Sequence, residues 1–196
     1  MNDVRCSLAE IYFVRHAQPN YENHDDMTRE LSAKGMADRQ LVTDFLQKRN
    51  IEVVLSSPYR RAVDTVGDFA AKSGIHIGII DDFRERKIGN EWIDDFNAFA
   101  RKQWEDFDYR HPDGESLREV RERNIRALRE ILQRYPGKNI AIGSHGTALS
   151  TVISFYDQAF GYADFREIQN LMPWIVQMTF DGLDCIRIRK INLFEN

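Results

Sequence analysis

The chain is predicted to be an α/β protein in three layers, a mostly parallel sheet with helices on both faces. Three observations predict it. Short apolar runs bounded by turn residues alternate with longer segments of helical period, the pattern of strand–helix–strand units. Histidines stand where two of those runs end, at His16 and His145, and the carboxyl ends of strands are where such sheets bind ligands. Near the end, Asp181-Gly182 separates two further apolar runs, so a hairpin forms there and at least one strand runs antiparallel.

The elements follow in order. Strands are expected at about Ile11–Arg15, Val53–Ser56, Ile77–Ile80 and Asn139–Gly143. Ser32 is placed to cap a helix whose inward face carries Leu41, Val42, Phe45 and Leu46. Ser57 then Pro58 reads as a cap followed by proline at the first helical position, with Ala62, Val63, Val66, Phe69 and Ala70 as the buried stripe. Between Glu91 and His111 the residues Trp92, Phe96, Phe99, Trp104, Phe107 and Tyr109 fall at helical spacing among many charges. This segment, about 91–111, is expected to be a helical insertion whose aromatics pack onto the domain body. A further helix carries Leu117, Val120, Leu128, Ile131 and Leu132 inward until Pro136-Gly137 stops it. Thr147–Tyr156 forms a helix directly after His145, so the positive end of its dipole favours an anion beside that histidine. Trp174–Phe180 and Cys185–Ile191 are the arms of the closing hairpin.

With 196 residues, no internal repeat and no linker, residues 1–196 are expected to form one domain. A net charge of −4, with 27 scattered basic residues, leaves no nucleic-acid footprint. Cys6 and Cys185 are too few for a disulfide framework and lack zinc-ligand spacing, so reduced thiols in a cytoplasmic protein are expected. Met1 to Glu10 has no apolar stretch of signal-peptide length, and charges interrupt every later apolar run before it reaches membrane-spanning length.

The chemistry concentrates at the two strand ends, where imidazoles that titrate near neutrality allow one ring to act as a nucleophile while the other is charged. Arg15-His16-Ala17 resembles the Arg-His-Gly signature of the histidine phosphatase superfamily, also called the phosphoglycerate mutase-like family, with alanine for the commoner glycine. Leu31-Ser32-Ala33-Lys34-Gly35, the run Ser56 to Thr65, Arg84-Glu85-Arg86-Lys87-Ile88-Gly89, Pro112-Asp113-Gly114-Glu115-Ser116 and Ser144-His145-Gly146 follow in the family's order. The resemblance implies a phosphoglycerate mutase-like sandwich that hydrolyses phosphate monoesters without a metal or other cofactor. It implies His16 as the nucleophile that becomes phosphohistidine, and Arg15 and Arg61 as clamps on the phosphoryl oxygens. His145 is then a charged donor to the phosphate, and Glu85 the general acid. Arg60 is the competitor of Arg61, which is favoured by its place before Ala62. The family also places an asparagine after its Arg-His pair. Asn20 and Asn23 both qualify, since Pro19 disturbs the spacing. Glu115 either orients groups near the pocket or caps the following helix, with Ser116 the preferred cap. His24, His76 and His111 are expected at the surface, His111 beside the pocket rim.

A cofactor-dependent phosphoglycerate mutase is the alternative within the family, but such mutases carry extra sequence between the general acid and the Gly-Glu-Ser region. A non-catalytic phospho-ligand or protein-binding member would be expected to lack one of the five core residues, and all are present. The expected partner is a small phosphorylated substrate, with neither nucleic acid nor membrane involved. Six acids against five Lys or Arg between Arg86 and His111 select no particular ester, and the sequence leaves the oligomeric state open.

Overall fold

A computed structural model describes residues 8–90, 93 and 95–195; Cys6, Glu91, Trp92 and Asp94 lie outside the described residues. In chain order come β1 (Ala9–Arg15), α1 (Ala33–Leu46), β2 (Val53–Ser56), α2 (Arg60–Ser73), β3 (Ile77–Ile79), α3 (Phe96–Glu105), α4 (Leu117–Arg134), β4 (Asn139–Ser144), α5 (Gly146–Tyr156), α6 (Tyr162–Ile168), β5 (Trp174–Asp181) and β6 (Asp184–Ile191). The strands form one sheet in the order β3-β2-β4-β1-β5-β6. β1 pairs parallel with β4, Ile11 opposite Ile140, and antiparallel with β5, Ile11 opposite Met178. β6 is antiparallel to β5 in turn, so β5 alone runs against the other strands.

Alternation along the strands divides the core in two. Tyr12, Val14, Val54 and Ala141 face α1 and α2, packing on Val42, Leu46, Val66, Phe69 and Ala70. Ile11, Phe13, Ile140 and Ile142 face the other way, onto Leu128 and Ile131 of α4 and Leu149, Val152 and Ile153 of α5. From the adjacent ends of β1 and β4 the chain departs in opposite directions across the sheet, toward β2 and toward β5. That divergence opens the crevice in which α/β sheets bind ligands.

Ser32 caps α1 as expected, accepting the Gly35 N–H. An added Cβ on Gly35 would stand 2.1 Å from the Gln18 carbonyl oxygen, so only glycine lets α1 approach the segment leaving β1 this closely. α2 corrects the prediction. It starts at Arg60 with Tyr59 as its N-cap and no capping side chain, two residues beyond Pro58. Ser57 accepts the Tyr59 N–H at 3.1 Å while its hydroxyl meets His145, which takes it out of the capping role. α3 falls within the expected insertion, and its aromatics pack inward. Trp104 lies against Phe107, Phe160 and Phe165, with ring centroids 5.5, 5.9 and 5.7 Å away. Among the described residues no helix is long and apolar enough to cross a membrane.

Candidate active site

His16 follows the last residue of β1, and its backbone N–H donates to the Ser144 carbonyl at 3.1 Å, which extends the ladder to β4 by one rung. Its Nδ1 lies 2.7 Å from the Ala17 carbonyl oxygen. A carbonyl only accepts, so Nδ1 carries the proton and Nε2 keeps its lone pair. Ala17 is fully buried and donates its N–H to Thr65 Oγ1 at 2.9 Å, which pins the strand end to α2. Burial, with the charges of Arg61 and Arg15, holds the His16 ring well below its ordinary pKa.

His145 is the N-cap residue of α5, fully buried, its ring centroid 5.3 Å from that of His16 and 5.1 Å from that of Tyr59. Its Nε2 is hydrogen-bonded to Ser57 Oγ at 2.6 Å, and its Nδ1 is buried without a partner. Burial, with the charge of Arg61 next, holds the His145 ring well below its usual pKa.

The two arginines are held differently. Arg15 donates from Nη1 to the carbonyls of Ile168 and Leu171 at 2.6 and 3.2 Å, and from Nη2 to that of Gln169 at 3.0 Å. Both terminal nitrogens are thus tied to the end of α6, and Nε is the buried donor without a partner. A Cβ on residue 146 would stand 3.0 Å from this anchored guanidinium, so any larger residue than Gly146 would press on it where α5 passes over. Burial lowers the Arg15 pKa to about 10. Arg61 is 3% exposed and Arg60 59% exposed; Arg60 turns outward to Asp64. Arg61 donates from Nη1 to the Asp26 carbonyl oxygen at 2.6 Å and pairs through Nη2 with Asp26 Oδ1 at 3.2 Å.

Glu85 sits against the start of α5. Its Oε2 accepts the Thr147 N–H at 3.0 Å, and its Oε1 accepts those of Ala148 and Arg86 at 3.0 and 2.8 Å. The carboxyl group therefore satisfies two amides that a helix leaves unpaired at its first turn. Arg123 holds this segment from below: Nη1 donates to the carbonyls of Asp82 and Arg84, and Nη2 to that of Glu85. Glu115 in turn fixes Arg123, accepting from Nε at 2.9 Å and Nη2 at 3.0 Å. Ser116 caps α4 in a capping box with Glu119, which leaves Glu115 the orienting part.

Asn20 and Asn23 do not separate into one site residue and one bystander. Both amides donate to the same Glu30 carboxylate, at 2.7 and 2.9 Å, and so fold the 20–30 loop on itself. His24 and His76 are exposed, and His111 stacks edge-on with Phe99.

Sequence reasoning missed four residues here. Ser57 was spent on a cap, and Asp26 has no periodic context that points to Arg61. Arg123 did leave a signal, a charge on the apolar stripe between Val120 and Ala127. Arg86 is 3% exposed, donates to Gln103 Oε1 at 2.5 Å and lies over the rings of Phe96 and Phe99, which ties α3 to the Glu85 segment. Among the described residues no three His, Cys, Asp or Glu side chains gather as a metal site would require.

Comparison with known proteins fits this geometry. Residues 11–186 match the model of the histidine phosphatase superfamily, branch 1. A probable phosphoglycerate mutase GpmB of Serratia proteamaculans is 28% identical over 171 residues, 81% of this chain and 80% of that protein. An uncharacterized phosphatase PhoE of Bacillus subtilis is 22% identical over 151 residues, 75% of this chain and 77% of that one. A mycobacterial glucosyl-3-phosphoglycerate phosphatase has the same fold, with a TM-score of 0.74 at 21% identity, covering 93% of this chain and 97% of that chain.

Proposed function

The chain belongs to the histidine phosphatase superfamily, and from that premise we propose that His16 is the residue through which it hydrolyses phosphate monoesters. The observation that carries the assignment is the locked tautomer of His16. With Nδ1–H held by Ala17, the free lone pair on Nε2 belongs to a ring kept neutral by its surroundings, as a nucleophile requires.

In the first step Nε2 attacks phosphorus, the P–N bond forms, and the P–O bond to the alcohol breaks on the opposite side. Charge on the equatorial oxygens is met by Arg61, by Arg15 through Nε, and by His145 once the dianion has drawn a proton to it. The departing alkoxide takes a proton from Glu85, which reverses its role in the second step, accepting a proton from the water that attacks the phosphohistidine. Ser57, bonded to His145 Nε2, orients that ring, while Glu115 and Arg123 orient the Glu85 backbone. The same reading takes residues 1–196 as one cytoplasmic catalytic domain acting on a small phosphorylated substrate, without nucleic acid or membrane.

The test is a quench with labelled substrate in conditions that spare acid-labile phosphate. Acid-labile, base-stable label on the wild type and none on a folded His16→Ala protein are expected. Label on serine would overturn the assignment. Conversion of one phosphoglycerate isomer to the other without phosphate release would favour the mutase alternative.

A further inference from the structure

We propose that Asp26 is a resident competitor for Arg61, an anionic gate on the 20–30 loop that must be handed to Arg29 before a phosphoryl group can be clamped. The proposal rests on the phosphatase reading and adds a residue that sets the site's affinity. Arg61 is buried, yet its fork is already taken by two oxygens of one residue, the carbonyl and the carboxylate of Asp26. This is the two-oxygen, two-nitrogen pairing that a phosphate would make with it. The gate is the exposed member of the pair: the Asp26 side chain is 48% accessible, on a loop where Asn20 and Asn23 hold Glu30 and Asp25 accepts the Met27 N–H.

A phosphoryl dianion reaching Arg61 meets the Asp26 charge at close range, and the two anions cannot share the fork without repulsion. A second cation stands ready. Asp26 Oδ1 is 3.2 Å from Arg29 Nη1, the same distance as from Arg61 Nη2. Arg29 is itself anchored, donating from Nε to the Asn23 carbonyl at 2.6 Å, and its charge is among those that reach His16. A small rotation of the Asp26 carboxylate therefore frees Arg61 Nη2, with Nη1 still on the Asp26 carbonyl, while the carboxylate keeps Arg29 as a partner. In the reverse direction Asp26 reclaims the fork as inorganic phosphate leaves, which opposes product retention.

The test is calorimetric titration of inorganic phosphate into the wild type, Asp26→Asn, Arg29→Gln and the double variant, each first shown by thermal melting to be folded. Removing a half-exposed like charge is expected to tighten phosphate binding about fivefold in Asp26→Asn. Arg29→Gln is expected to weaken it, because Asp26 then stays on Arg61, and to have little effect once Asp26 is asparagine. Unchanged or weaker binding in Asp26→Asn would overturn the proposal, since Asp26 would then be holding Arg61 in place. An equal loss from Arg29→Gln in both backgrounds would overturn the hand-over, because Arg29 would be touching phosphate directly. A wild type that neither binds phosphate nor hydrolyses any ester removes the phosphatase reading and the gate with it, whereas binding indifferent to Asp26 removes the gate alone.

Discussion

At the scale of single residues, the site works by constraint: each reactive group has one side committed to the scaffold. Arg61 is the clearest case, because a planar fork bonded to two oxygens cannot be copied by the point charge of lysine. Arg61→Lys is expected to lower kcat/KM by about 10²–10³. Arg60→Lys, at an exposed pair with Asp64, should stay within about twofold of wild type, so equal losses in initial-rate assays would contradict the division of roles. Protonation of His16 gives a second expectation. The nucleophile must be neutral, and its pKa is pushed well below 6.5, so the acid limb of kcat/KM in the free enzyme should lie below pH 6.5. A limb at or above that value would mean that burial and Arg61 do not control the ring. Arg15, His16 and His145 were legible because strand ends mark them. Asp26 and Ser57 were not, since a contact across the fold leaves no trace in local spacing.

At the scale of elements, α5 joins packing to chemistry. Its apolar residues Leu149, Val152 and Ile153 fill the core, while its first turn presents amide N–H groups to Glu85. The proposed general acid is thus also a helix cap, and Glu85→Gln separates the two roles, since the amide oxygen still accepts hydrogen bonds while the acid is lost. Hydrolysis of an alkyl phosphate is expected to slow by at least about tenfold more than that of an activated aryl phosphate, whose leaving group departs unaided. Equal slowing of both esters would assign Glu85 to the cap alone. Ser32 and Ser116 were legible as caps because each precedes an amphipathic run. α6 escaped notice because it is 7 residues long and opens on Gly161, with Asp164 reaching back to the Gly161 N–H. That helix supplies the carbonyls that anchor Arg15.

For the whole molecule, two histidines buried where β1 and β4 end make stability depend on pH. Both fold with pKa values well below the 6.5 of an unfolded chain, so the unfolded state binds more protons below that pH and stability falls as the pH drops. The loss should approach roughly 1 kcal/mol per histidine between pH 6.5 and 5.5. Thermal melts across that window should show a flatter slope for His16→Gln and for His145→Gln, and a slope untouched in both would place its source elsewhere. The three-layer class was legible because periodicity records which faces are buried. The position of β1 was not, because pairing partners are chosen at long range. β1 is hydrogen-bonded to β4 on one side and to β5 on the other, and the carbonyls that fix Arg15 lie at and just beyond the end of α6. A ribosome therefore delivers the strand that ends at His16 before its last neighbour. Until β5 has left the exit tunnel, one edge of β1 has no partner and the nascent chain carries His16 on an unfinished sheet. Esterase activity should accordingly appear only after β5 has emerged, and the unpaired edge of β1 is exposed to wrong pairing until then.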